Sequence, residues 1–170
     1  MAQSDLPLPA QLGELLIHAG SAPVSDDLPG RLVQETNAWA VGLWRKKGTE
    51  LRLCVFAAAE GFDETVAKEF TVATRRVPLD QTQLGIVNAV VHNRPALARA
   101  EELTGDLQKS AGWLGRFGAR CSLSCPVMAG EDIIGVFAVS WKDAYQENDA
   151  WPQELQKLAD AISMHLTENT

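Results

Sequence analysis

The stretch that most limits the fold of this chain is residues 121–142, where two long apolar segments are joined by a short polar turn. Side chains of a β-strand point alternately to the two faces of a sheet. In the second segment both alternating sets are apolar or small, so neither face suits contact with water. Gly130 lies in the joining turn, where its tolerance of positive φ permits a sharp reversal. The stretch is therefore predicted to be a hairpin at the centre of a sheet that is covered on both faces.

Strict alternation assigns the residues of this hairpin to the two faces of the sheet. The first segment divides into Cys121, Leu123, Cys125 and Val127 on one side and Ser122, Ser124, Pro126 and Met128 on the other. In the second segment Ile133 is expected on the face that carries Phe137, and Ile134 on the face that carries Val136.

Composition limits the class of protein. The chain has 170 residues, 46% of them hydrophobic, which is enough for one core and predicts one domain. A formal charge of -7 makes nucleic acid an unexpected partner. No apolar run reaches the roughly 18 residues of a membrane helix, and the N-terminus does not have the pattern of a signal peptide. Three Cys without CxxC spacing suit a reducing compartment, so a cytoplasmic location is expected.

Hydrophobic periodicity predicts the order of the remaining elements. Helices are expected over residues 8–20, 28–36, 64–70, 81–93 and 151–166, and strands over residues 38–44, 50–59 and 95–98. Gly20 is placed to end the first helix, Ser25 or Asp26 to cap the second, and Asp149 to cap the last. The region 60–76 is interpreted as a surface connection.

Residues 77–85 have the pattern of a capped helix start. Asp80 is followed three residues later by Gln83, and Leu79 is placed to pack on Leu84, which together predict a capping box with a hydrophobic staple. The helix must end near Asn93, because a proline disfavours helical backbone at the residue before it and Pro95 follows.

Residues 101–118 combine large apolar side chains with four glycines. Each glycine weakens a helix by up to about 1 kcal/mol, so local propensity alone does not hold this segment. The mixture predicts a mobile flap that carries Trp113 and Phe117.

The order of these elements resembles that of the GAF domain family. The resemblance lies in VPLDQTQLGIVNAVVHNRPALA at residues 77–98, RCSLSCPVMAGEDIIGVFAV at residues 120–139, and the helical flap and closing helix around them. It covers roughly residues 25–168. It implies an α+β, profilin-like fold with about six antiparallel strands, terminal helices on one face, and a helical flap over a small-molecule pocket on the other. Residues 1–24 are expected to form a separate N-terminal helix for a dimer or bundle.

The resemblance also implies where a ligand would lie. Trp113 and Phe117 are expected to close over a cavity walled by the central hairpin, although both rings are also suited to a core. The candidate ligand-binding residues are Phe62, Gln83, Leu84, Trp113, Phe117, Ser122 and Ser124. The start of the helix that follows Leu84 offers N–H groups to an acidic or carbonyl group.

The residues that bind known ligands in other members of the family are only partly present in this sequence. The cyclic-nucleotide-binding branch carries Asn, Lys, Phe, Asp and Glu where this chain has Trp141, Lys142, Tyr145, Asp149 and Ala150, so that ligand is not expected. Lys142 and Asp149 are either an ion pair or solvated. A covalent bilin is not expected, because no Cys-His pair is present, and an axial haem ligand would have to be His92. The cofactor is therefore unknown, and no metal site is predicted.

Some GAF domains reduce free methionine sulfoxide with cysteines in and beside the flap. Here Cys54, Cys121 and Cys125 lie on predicted strands instead, where buried, inert thiols are the simpler interpretation. Cys121 and Cys125 lie about 13 Å apart along one strand, too far to form a disulfide with each other.

The resulting hypothesis is a non-catalytic, sensory or regulatory GAF domain that has an unknown small-molecule ligand and acts on a separate output partner. The alternatives are a sulfoxide reductase and a ligand-free interaction scaffold. Two apolar stripes are expected to pack together and to extend into a two-fold interface, which predicts a homodimer. The stripe on the first helix is Leu12, Leu15 and Leu16, and the stripe on the last helix is Leu155, Leu158 and Ile162.

Overall fold

The computed structural model describes residues 6–18 and 24–168, and within them one six-stranded antiparallel sheet forms the centre of the fold. The strands are β1 (Ala40–Lys47), β2 (Glu50–Ala58), β3 (Arg76–Pro78), β4 (Ala96–Arg99), β5 (Cys121–Ala129) and β6 (Asp132–Trp141). Their order is β3-β2-β1-β6-β5-β4, with every neighbouring pair antiparallel. The predicted hairpin is β5 and β6, and β6 lies beside β1 in the middle of the sheet.

Helices cover both faces of this sheet. They are α1 (Leu8–Ile17), α2 (Leu28–Thr36), α3 (Glu64–Ala73), α4 (Gly85–His92), α5 (Gln108–Phe117) and α6 (Ala150–Glu168). On one face α1, α2 and α6 enclose a core that includes Leu123 and Phe137. On the other face α3, α4 and α5 enclose a second core that includes Trp44 and Val136. The predicted α+β architecture, with terminal helices on one face of a six-stranded sheet, is confirmed.

The apolar stripes of α1 and α6 belong to the same core. Leu12, Leu16, Leu155 and Ile162 are buried there within the single chain, and Leu158 is half-buried beside them. The two stripes therefore pack together as predicted, and most of their area is covered without a second copy. Helix α1 ends at Ile17, and the predicted stop at Gly20 lies outside the described residues.

A β-bulge changes the predicted alternation of β6. Val127 pairs with Gly135 and Met128 pairs with Ile133, so Ile134 is an extra residue on its strand. As a result Ile133 packs in the core with Val136, and Ile134 packs in the core with Phe137. The assignment of these two isoleucines from strict alternation was wrong, because an inserted residue reverses the faces of the residues beyond it.

Two predicted helix caps are also wrong. Helix α2 is preceded by Asp27, whose side chain makes no capping bond, while the hydroxyl of Ser25 accepts a hydrogen bond from Gln11 Nε2 at 2.6 Å. Helix α4 begins at Gly85, after Asp80 and Gln83. Residues 78–84 form turns instead, in which Gln81 N donates to the Pro78 carbonyl and Leu84 N donates to the Gln81 carbonyl.

The region interpreted as a surface connection is structured more extensively than predicted. Asp63 caps α3 by accepting hydrogen bonds from Thr65 N and Val66 N, and α3 places Phe70 in the second core. Strand β3 then pairs with β2 at the edge of the sheet. Among the described residues, no helix has the length and apolar character needed to cross a membrane.

Candidate functional site

A cavity of about 50 Å³ lies between the sheet and the helices α3, α4 and α5. Its floor consists of residues on β1, β2, β5 and β6, and its roof consists of residues on or directly beside the three helices. The lining contains aliphatic, aromatic, glycine, serine and threonine residues, and none of the described residues that line it is charged. The cavity is therefore an electrically neutral space with one polar side.

Three serines form the polar side of the cavity, which is called the serine floor. Ser122 on β5 is directly opposite Ser140 on β6, and Ser124 lies two residues farther along β5. Their exposed fractions are 9%, 8% and 2%, respectively. Within the described part of the chain none of the three hydroxyls has a hydrogen-bond partner. Because buried hydroxyls are normally hydrogen-bonded, these groups are suited to binding water or a ligand in the cavity.

Aromatic rings form the opposite side of the cavity, which is called the aromatic roof, and Phe70 lies at their centre. The ring centroid of Phe70 lies 5.3 Å from Phe56, 5.1 Å from Trp113, 5.0 Å from Phe117 and 6.2 Å from Trp44. The contacts to Trp44, Trp113 and Phe117 are edge-to-face, a favourable arrangement for aromatic pairs. This cluster attaches the flap helix α5 to α3 and to the sheet.

The Trp44 ring lies flat along its own strand at this site. A Cβ on Gly42 would come within 2.4 Å of that ring, so a side chain at Gly42 would displace it. The indole Nε1 donates to the Thr74 carbonyl at 3.0 Å, which satisfies the buried donor. Trp44 is therefore a fixed wall of the cavity.

The start of α4 is attached to the flap by two hydrogen bonds. Gly85 N donates to Ser110 Oγ at 2.7 Å, and Ser110 N donates to the Gln83 carbonyl at 3.3 Å. A Cβ on Gly85 would lie 3.1 Å from Ser124 Oγ and 3.4 Å from Ser110 Oγ. The absence of a side chain at Gly85 thus leaves open the space beside the hydroxyl groups of Ser110 and Ser124.

The predicted ligand-binding residues fall into three groups. Leu84, Trp113, Phe117, Ser122 and Ser124 line the cavity. Phe62 does not line it but packs edge-to-face on Phe117, at a centroid distance of 5.2 Å. Gln83 lines a separate surface depression with Asp80, Thr82 and Lys109.

Several lining residues were not identified from the sequence. These are Trp44, Phe56, Phe70, Ser110 and Ser140, among others. Alternation along β6 already placed Ser140 on the face opposite to Phe137, so this residue had a usable signal. Phe70 and Ser110 had none, because each reaches the cavity from a helix whose position depends on tertiary packing.

Of the two alternatives for Lys142 and Asp149, the ion pair is not formed in the described structure. Lys142 Nζ lies 4.4 Å above the ring centroid of Trp39, and Asp149 Oδ2 accepts a hydrogen bond from Gln146 N at 2.7 Å. Each charged group thus contacts a different partner. The loop before α6 is held by these contacts instead.

All three thiols are free and have raised pKa values. Burial raises the pKa of Cys54 to about 11 and that of Cys125 to about 12, and burial also raises the pKa of Cys121. All three lie on strands, and none of them lines the cavity. His92, the one candidate for an axial haem ligand, is exposed in the last turn of α4.

Comparison with known proteins identifies the family. The sequence matches the GAF domain family over residues 31–167. No curated protein matches the chain.

Solved structures show the same fold at low sequence identity. The GAF domain of a sensor histidine kinase from Bacillus halodurans is 14% identical, with a TM-score of 0.62 over 87% of this chain and 96% of that one. The phycocyanobilin-bound GAF domain of a cyanobacterial phytochrome is 8% identical, with a TM-score of 0.62 over 98% and 87%. The free methionine-R-sulfoxide reductase of Neisseria meningitidis, in complex with its substrate, is 13% identical, with a TM-score of 0.59 over 95% and 89%. Because the family match spans most of the chain and the fold agrees with it, this protein belongs to the GAF domain family.

Proposed function

We propose that this GAF domain binds a small molecule in the cavity and acts as a non-catalytic sensory or regulatory module. The observation that carries the proposal is a set of three serines that are largely buried, whose hydroxyls have no partner among the described residues and open onto the cavity, opposite an aromatic roof. The three hydroxyls open onto the cavity, so an occupant can hydrogen-bond to them, and each such bond contributes about 0.5–1.5 kcal/mol. The histidine kinase and phytochrome domains of the same fold are consistent with a sensory role.

Ligand binding requires the flap to move. The cavity volume is about 50 Å³, whereas ligand sites are commonly about 300–1,000 Å³. Helix α5 is the element suited to this movement, because Gly112 and Gly115 lower its intrinsic stability and Trp113 and Phe117 attach it to the cavity. A ligand that holds α5 in an outward position shifts the population of flap positions, which a separate output partner can recognise.

The first test combines detection of a ligand with a serine substitution. Native mass spectrometry of the purified protein should reveal a bound small molecule, and Ser124→Ala should reduce its occupancy. Ser163→Ala is a matched control, because Ser163 lies on α6 and hydrogen-bonds to Met128 N, away from the cavity. Equal occupancy in the two variants would argue against a role for the serine floor.

The variant Trp113→Ala distinguishes two possible roles of Trp113: a lid over a bound ligand, and a structural residue of the core. The side chain is half-buried, so a lid residue should lose binding with a small change in melting temperature. Truncation of a core tryptophan would instead lower the free energy of unfolding by about 3–5 kcal/mol. A large thermal loss with unchanged ligand occupancy would favour the ligand-free scaffold.

The enzymatic alternative is reduction of free methionine sulfoxide. It is supported by the structural similarity to the Neisseria meningitidis reductase. Against it stand the raised pKa values of the thiols, because the thiolate is the reactive form. An assay with free methionine sulfoxide and a thiol reductant should give no turnover, and turnover that is lost on substitution of a cysteine would establish the enzyme instead.

The homodimer and the cytoplasmic location also remain proposals. Since α1 and α6 bury most of their stripes within one chain, a dimer would use the outer side of α6, where Met164 is 62% exposed. Such an interface would lie on the face of the sheet opposite to the flap helix α5.

A further inference from the structure

A second depression, a groove of about 460 Å³, lies immediately outside the cavity. It runs between α5 and the segment that contains the end of α3 and β3. Leu84 and Trp113 line both the groove and the cavity, so these two side chains form the wall between the spaces. On the groove side, a Cβ on Gly112 would meet no atom within 4 Å, which leaves room beside Trp113. An outward rotation of Trp113 would therefore join the groove to the cavity.

The groove differs from the cavity in its charge. Arg76, Lys109 and Arg116 line it, and none of its described lining residues is a carboxylate. This concentration of positive charge occurs in a chain with a formal charge of -7. An anion that approaches the protein thus meets a local positive potential at the entrance to a neutral cavity.

Two of the three cations are not committed to a close ion pair. Lys109 donates to the neutral side-chain oxygen of Gln81, and Arg76 lies 3.9 Å from Glu50, a carboxylate already held by Arg52 at 2.8 Å. Asp80 lies nearby, in the surface depression that Lys109 also lines.

Arg116 has a different role from the other two cations. It pairs with Glu69 on α3, and its guanidinium lies 4.8 Å above the Trp113 ring. It thus holds the Trp113 wall in place, and Arg76 and Lys109 remain to bind an anion.

We propose that the ligand is an amphipathic organic acid, with an uncharged body in the cavity and a carboxylate in the groove at Lys109 and Arg76. The inference rests on the proposed function, and it adds the chemical class and orientation of the ligand. The aromatic roof accepts an apolar or aromatic body, and the serine floor accepts a hydroxyl or carbonyl on it. The carboxylate stays outside, because burial of an unpaired charge in a neutral cavity is costly.

The test compares acids with alcohols of the same shape. The probes are phenylacetate, 3-phenylpropionate and 4-phenylbutyrate, each paired with the alcohol of equal chain length, and binding is measured by titration calorimetry at low and high salt. At least one acid should bind about tenfold or more tightly than its alcohol at low salt, and the ratio should shrink at high salt because exposed charges are screened. The double variant R76Q/K109Q should lose the advantage of the acid and keep the affinity for the alcohol.

Lys157→Gln provides the matched control, since Lys157 is an exposed cation on α6, on the other face of the sheet. This variant should retain the preference for the acid. Equal affinity for acid and alcohol in the unmodified protein would overturn the inference and leave the proposed function standing. An equal loss of preference in K157Q and R76Q/K109Q would also overturn it, because the effect would come from net charge.

If no probe binds and native mass spectrometry finds no bound molecule, the proposed function fails and the inference fails with it.

Discussion

Gly85 is the residue at which the start of α4, the flap and the serine floor meet. Its N–H donates to Ser110 Oγ, and the space of its absent side chain is faced by Ser124 Oγ. An added methyl group would lie in contact with both hydroxyls, at 3.1 Å from Ser124 Oγ. The Ser124 hydroxyl has no partner among the described residues and is free to rotate by the small amount required.

Gly85→Ala should therefore reduce ligand binding more than stability. The methyl group takes up part of the cavity, and we expect the affinity for the best probe or native ligand to fall about tenfold. The free energy of unfolding should stay within about 1 kcal/mol, because alanine also restricts the unfolded chain. Gly30→Ala is the control, since Gly30 lies on α2, on the other face of the sheet, and a Cβ there meets no atom within 4 Å, so it should leave binding unchanged. The prediction is contradicted if both variants bind as the unmodified protein does.

Cys125 should make stability depend on pH above neutrality. Burial raises its pKa to about 12 in the folded protein, whereas an unfolded thiol titrates near 8.5. The unfolded chain therefore loses this proton first, and the stability contributed by the neutral thiol is complete below about pH 8.5 and falls as pH rises toward 12.

Cys125→Ala should remove this part of the pH dependence. Between pH 7 and pH 10 the unmodified protein should lose about 2 kcal/mol more of its free energy of unfolding than the variant does. Urea denaturation at the two pH values measures the difference, and titration of lysines and tyrosine cancels in the comparison. Identical losses in both proteins would show that the thiol is accessible to water.

For single residues, the sequence predicted the face of the sheet on which a strand residue lies, because strand alternation controls it. Ser122 and Ser124 were assigned to one face of the hairpin, and they lie together in the cavity. Ser110 was not predicted, because it reaches Gly85 from a helix 25 residues farther along the chain.

Among the elements, α5 depends most on tertiary contacts. Its glycines give it little intrinsic stability, and Phe70 on α3 packs against two of its rings, Trp113 and Phe117. The indole Nε1 of Trp39 adds a hydrogen bond to the Phe117 carbonyl at 2.7 Å. The flap is thus held by side chains from α3 and the residue before β1, which are the contacts a ligand would have to rearrange.

Phe70→Ala should loosen the flap as a unit. We expect the free energy of unfolding to fall by about 3–5 kcal/mol, because the ring is buried among four others. Hydrogen exchange should show the largest loss of protection in α5. Val72→Ala on the same helix is the control, since Val72 is 59% exposed, and it should change stability by less than about 0.5 kcal/mol. Uniform loss of protection across the sheet would indicate that Phe70 supports the whole core instead.

Helix α4 illustrates why its boundaries were harder to predict than its existence. The Asp80 and Gln83 spacing is typical of a capping box, yet the helix begins at Gly85 with its first N–H bound to Ser110. A local sequence signal was replaced by a long-range contact that satisfies the same kind of backbone donor. The end of the helix at Asn93 depended on local residues and was predicted correctly.

At the scale of the whole molecule, the sheet separates two cores with different roles. The core beneath α1, α2 and α6 is filled by aliphatic side chains with Phe137 and Trp141, whereas the core beneath α3, α4 and α5 contains the cavity. The hairpin pattern predicted cover on both faces, because neither side of β6 was polar. The cavity itself needed the relative positions of three helices, which no periodicity in the sequence specifies.

The homodimer prediction belongs to this scale and concerns the outer side of α6. Met164 is 62% exposed there, so the helix keeps apolar area that the single chain does not cover. Light scattering at high micromolar concentration should give the mass of two chains. Met164→Glu should give the mass of one folded chain, because a charge at an exposed position disturbs only a partner surface.

Two further variants make the dimer test interpretable. Val72→Glu, an equally exposed position on α3, should remain dimeric. Ile162→Glu is uninformative about assembly, because Ile162 is fully buried within the chain and a buried, unpaired charge would unfold it. A mass of one chain for the unmodified protein at high micromolar concentration would refute the homodimer.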